Sequence, residues 1–157
     1  NDNRVPSYNG KRMIDDMEKY MESIYCLDDM PLDKPSYGLS SIMRVKDFFI
    51  DEVQKKGDIS IDMRYSRVLY EHKWMLTQLV DSFLTDDINK DKYRTFAARN
   101  FDRAKLVHML GLKMLISQNP AIISNVSFLI DQIVEDEKQY MPELILLLRA
   151  RYENGII

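Results

Sequence analysis

Two histidines, one cysteine and three pairs of adjacent acids are the side chains from which reaction chemistry would have to be built. His72 and His108 stand in neither a His-Glu-x-x-His nor a Glu-x-x-His arrangement, the spacings that set metal ligands on one helical face. Glu71 adjoins His72, and neighbours on a helix point about 100° apart. Cys26 has no nearby histidine and no Cys-x-x-Cys context, so it reads as a small buried or half-buried side chain rather than a reactive thiol. A lone cysteine also excludes an intrachain disulfide framework and suits a reducing compartment. Asp15-Asp16, Asp28-Asp29 and Asp86-Asp87 fall at solvent faces or caps, where capping and dipole complementation explain them better than acid–base work. Asn125-Val126-Ser127 matches a glycosylation acceptor but lies within a helical period. Five scattered glycines make no phosphate loop. The expectation is a non-enzyme with no metal and no cofactor.

The elements that would position these residues are helical. Ile14, Met17, Met21 and Ile24 recur at spacings of three and four, predicting a helix from Lys11 to about Leu27 that Pro31 and Pro35 stop. A second helix starts near Ser40 with Ile42, Val45, Phe49 and Val53 inward, and Gly57-Asp58 ends it. Ile59-Ser60-Ile61 reads as an extended connector. The third helix runs from about Asp62 to Phe83, with Leu69, Leu76 and Phe83 one heptad apart and Met75, Leu79 and Val80 beside them. A short fourth covers roughly Ile88 to Arg99 and buries Tyr93, Phe96 and Ala97. The fifth is the most apolar segment. Its polar positions Lys105, His108 and Lys113 fall within about 140° at 100° per residue, so most of it should be covered by protein. Asn119-Pro120 caps a sixth helix, Pro142 opens a seventh, and Gly155 closes it.

With 157 residues, 45% of them hydrophobic, the chain can bury a core and forms one domain: a leader over residues 1–10 and a helical domain over 11–157. The fold class is all-α, a globular bundle of about seven helices around a central apolar helix. Basic residues number 22 against 25 acidic, which lacks the positive field of a non-specific nucleic-acid binder. The chain begins at Asn1 rather than methionine, which reads as a processed or trimmed chain. An intracellular, cytoplasmic location is expected, with the mitochondrial outer membrane a further option if a C-terminal anchor was removed.

One segment goes beyond generic helix. Asn100-Phe101-Asp102-Arg103 follows a short aromatic helix and precedes Gly111 by the offset found in the first homology motif of the Bcl-2 family, Asn-Trp-Gly-Arg. The segment resembles that motif, with Phe101 for tryptophan and Asp102 for glycine. No second homology motif follows Pro120, and the only tryptophan, Trp74, lies upstream. Such divergence is similar to the Bcl-2-like proteins of large DNA viruses, chiefly poxviruses. The resemblance implies that Asn100 and Asp102 cap the central helix and that Arg103 pairs with the aspartate of a bound death-motif helix. Phe101, Leu106, Val107, Leu110, Phe49 and Phe96 would complete a groove for that partner.

The function expected on this basis is non-catalytic. The domain would bind amphipathic helices of pro-apoptotic or innate-signalling proteins and so inhibit host cell death or inflammatory signalling. A helical-repeat or scaffold fragment is the alternative, although no period near 40 residues is present. An RNA-binding helical domain would need Arg94, Arg99, Arg103, Lys105 and Lys113 on one strip, and the period scatters them. The partner is therefore a protein, not a nucleic acid; a membrane enters only with a removed tail, and a homodimer is a further option. The 10 methionines suit either a core or an adaptable helix-binding surface.

Overall fold

A computed structural model describes residues 9–22 and 39–157, and all regular structure within them is helical. The elements are α1 (Gly10–Glu22), α2 (Leu39–Gln54), α3 (Arg64–Phe83), α4 (Lys90–Ser117), a 3-10 turn (Pro120–Ile122) and α5 (Ile123–Glu153). The all-α class holds, with five helices in a bundle among the described residues instead of about seven. Cys26, Asp28-Asp29, the two prolines Pro31 and Pro35 and the expected end of the first helix lie outside the described residues, as do residues 1–8 of the leader.

Two expected boundaries are absent. The chain runs through Asn100 without a break, because nothing between Ala97 and Ala104 withholds a backbone N–H or forces a turn. Asn100 and Asp102 are therefore interior helix positions, not caps. Pro142 likewise sits inside α5. It lies on an exposed face, as does Lys138 one turn earlier, so the Lys138 carbonyl that loses its N–H partner is on the water side.

Other signals are realised as read. Asn119 accepts a hydrogen bond from the Ala121 N–H at 3.0 Å ahead of Pro120. Gly155, at φ +72°, ends α5: its N–H bonds to the Tyr152 carbonyl and that of Ile156 to the Arg151 carbonyl, the double bond of a Schellman turn. Ile59 and Ile61 form the extended connector and are buried. Gln118, at φ 54°, closes α4 and grips that connector: its side chain accepts from the Ile59 N–H at 2.6 Å and donates to the Ile59 carbonyl at 3.1 Å.

The core falls into two apolar clusters. One gathers α2, the connector, the C-terminal half of α4 and the start of α5 around Phe49, Val107, Met114 and Ile130. The other gathers α1, the end of α3, the start of α4 and the end of α5 around Ile14, Val80, Phe96 and Leu144. Gly111 allows the first to close: a Cβ there would lie 3.1 Å from the Phe49 ring and 3.0 Å from the Met63 methyl.

The covered central helix is realised only in part. Leu106, Met109, Leu112 and Ile116 of α4 are exposed. The polar arc of this helix was too narrow a guide, because apolar side chains occupy its solvent face as well.

Candidate binding groove

Each helix that crosses the junction of the two clusters carries a buried polar residue there. On α3, Lys73 lies between Leu69 of one cluster and Leu76 of the other; on α4, Asn100 lies between Ala97 and Ala104; on α5, Glu137 lies between Val134 and Met141. All three are fully buried. Such groups persist only when paired, and these are.

The Lys73 ammonium forms an ion pair with Glu137 Oε1. It also donates to the Tyr20 hydroxyl of α1 at 2.9 Å and lies 3.2 Å from His72 Nδ1. An ammonium has three donors and no acceptor, so His72 accepts on Nδ1 and is the neutral Nε2–H tautomer. Tyr20 donates in turn to Glu137 Oε2. Burial, then the Glu137 carboxylate, raises the Tyr20 hydroxyl well above its ordinary value, so it remains a donor. Burial lowers Lys73, and Glu137 opposes that shift. Burial and then the Lys73 cation push His72 down to about 3. The residue keeps an exposed edge, which lets water relieve part of the burial effect but not the cation beside Nδ1.

This network ties α1, α3 and α5 together at one level. Arg149 of α5 extends the hold on α1, reaching Asp15 at 3.0 Å and Glu18 at 2.8 Å. Arg151 holds the α3–α4 loop through Asp86 at 2.6 Å and Asp87 at 3.2 Å. Three of the paired acids, Asp15, Asp86 and Asp87, thus receive arginines, and Asp87 also accepts from the Asn89 N–H at 2.7 Å.

Above the network, α1 and α3 stand apart over α5 and leave a groove of about 1080 Å³ among the described residues. Its polar floor is Tyr20, His72 and Glu137. Its walls are apolar: Met13 and Met17 from α1, Trp74, Met75, Leu79 and Phe83 from α3, and Met141 from α5. Met75 is 62% exposed and Trp74 49%, so the α3 wall is open to solvent. Arg12 and Asp16 of the α1 edge are 4.0 Å apart. Among the described residues, four methionines line this groove.

The residues expected to bind a partner are not gathered here. Arg103 donates to Asp136 of α5 at 2.6 Å and to Asn100 Oδ1 at 2.9 Å, and Arg99 shares Asp136 at 2.6 Å. Asn100 donates to the Ile133 carbonyl at 3.4 Å. Phe49 and Val107 are fully covered in one cluster and Phe96 in the other; Leu110 packs half-buried against the first. Leu106 points to solvent, and Phe101 lies under the Lys105 ammonium, 4.5 Å from its ring centre. These eight residues share no single cleft. His108 is held by Ser66 at 2.7 Å, and burial lowers its pKa.

The polar network beneath the groove left a legible signal in the sequence. Lys73 occupies the 69-73-76-80 stripe of α3, and Glu137 the 130-133-137-141 stripe of α5. A cation and an acid, each on an otherwise apolar face, mark two buried charges that each need a partner. Among the described residues no group of three or more His, Cys, Asp or Glu could hold a metal, and no helix is long and apolar enough to cross a membrane. No protein-family model, curated protein or solved structure matches the chain.

Proposed function

We propose that this chain is a non-catalytic interaction domain that receives an amphipathic helix of a protein partner in the groove between α1 and α3. The observation that carries the reading is the open, methionine-rich wall set on a rigid polar floor. Unbranched thioethers adapt to varied apolar anchors, and a groove between helices suits residues at i, i+3/i+4 and i+7 of a bound helix. Each anchor contributes about 1.5–3 kcal/mol if fully desolvated, before ordering costs are subtracted. The Bcl-2-type resemblance of residues 100–111 supports pro-apoptotic or innate-signalling helices as the partner class and restraint of host cell death or inflammatory signalling as the outcome, in the cytoplasm.

In this reading the anchor of the interaction is the groove and not Arg103. A partner aspartate seeking Arg103 would have to share its guanidinium with Asp136, already 2.6 Å away. The two routes separate experimentally. Trp74 is the only tryptophan and lines the groove, so tryptophan-free death-motif peptides can be titrated against its emission. The expected result is a saturable change, weakened at least ~tenfold, or about 1.4 kcal/mol, by Met13→Glu or Met75→Glu and little altered by Arg103→Glu. Binding lost only in Arg103→Glu would move the site to α4. Binding by no peptide would overturn the helix-binding reading.

A further inference from the structure

We propose that the outer face of α4 is a two-fold interface between two copies of this chain. Leu106, Met109, Leu112 and Ile116 fall with Asp102, Lys105 and Lys113 inside an arc of about 120° at 100° per residue. Met109 is 63% and Ile116 85% exposed. No α4 residue lines the groove, so this surface is separate from it and the inference does not depend on the helix-binding reading.

The order of charges along the stripe selects the occupant. Asp102 stands toward its N-terminal end and Lys113 toward its C-terminal end. When two identical α4 helices run antiparallel about an axis passing between Val107 and His108, Asp102 of each copy faces Lys113 of the other. The same register sets Leu106 of each copy against Met109 of the other. The Asp102–Lys113 and Leu106–Met109 pairings thus fall in one register, and each occurs twice, as a closed two-fold contact requires. A parallel pairing would instead set Lys113 against Lys113. Among the described residues of its own chain Asp102 pairs with Lys105 alone, at 3.3 Å in an exposed i,i+3 pair, which is readily exchanged. Lys113 makes no ion pair among the described residues.

Sedimentation equilibrium of the full chain tests this. The wild type should dimerise reversibly, and Met109→Asp should leave a monomer. Asp102→Lys and Lys113→Asp should each weaken association at least ~tenfold. An equimolar mixture of those two variants should associate again, since every cross-copy contact then joins opposite charges; the double reversal in one chain should do the same. The mixture also separates a charge effect from misfolding, because only folded variants can restore each other. A wild type that is monomeric throughout, a dimer indifferent to both reversals, or a mixture no tighter than its components would overturn the proposal.

Discussion

Lys73 and Glu137 depend on each other, because each fully buried charge would be untenable alone. Removing one partner of a fully buried ion pair leaves an uncompensated charge, so Lys73→Met should cost about 3–5 kcal/mol in urea denaturation. Lys73→Met combined with Glu137→Met replaces the pair by apolar volume and should recover most of that loss. A double variant as unstable as the single one would contradict the pairing. Beside them, His72 adds a pH dependence with a definite sign. Its folded pKa lies near 3, below the ordinary 6.5, so the unfolded chain binds the extra proton first. Stability from this group is therefore full above about pH 6.5 and declines as pH falls toward 3. With its edge in water the effect should be on the order of 1 kcal/mol, and His72→Gln should flatten thermal midpoints across that window. The positions were legible: a lysine and a glutamate interrupt apolar stripes. Their partnership was not, because a stripe gives a residue's face and not the helix it meets.

At the scale of the element, local chemistry was most readable where a terminus has a side-chain or glycine signature. Asn119-Pro120 opens the 3-10 turn that leads into α5, and Gly155 ends α5, because their backbone requirements are local. Proline and asparagine inside a helix carry no such certainty. Pro142 is tolerated since it faces solvent, and packing of Met141, Leu144 and Ile145 holds the helix through it. Pro142→Ala would restore an N–H to the Lys138 carbonyl and should stabilise the fold by about 1–3 kcal/mol in chemical denaturation. Asn100 reads as a cap only if a break precedes it; its buried amide instead reaches the Ile133 carbonyl. Gln118 is the converse case, a non-glycine at positive φ retained for its side chain. Gln118→Gly relieves the backbone yet removes the bonds to Ile59, and should still lower stability by about 1–2 kcal/mol, detectable as faster amide exchange at Ile59.

At the scale of the molecule, two apolar clusters of the described residues meet at a polar layer of Tyr20, Lys73, Asn100 and Glu137, and the Tyr20–Lys73–Glu137 network within it sets how far α1 and α3 stand apart over α5. The groove is a consequence of that spacing. Helical class and much of the core, including Phe49, Phe96 and Val107, were legible from periodicity, whereas the groove was not, since it depends on which helices fail to touch. The methionines that made both a core and a binding surface plausible serve both: Met114 is buried, while Met13 and Met75 line the groove. They also supply the most direct test of the account. With the methionine methyl groups labelled and observed by NMR, addition of a bound amphipathic helix should shift Met13, Met17, Met75 and Met141 together and leave Met109 and Met114 in place. Shifts confined to Met109, or no methyl shift at saturating peptide, would contradict the claim that the space between α1 and α3 is where a partner helix sits.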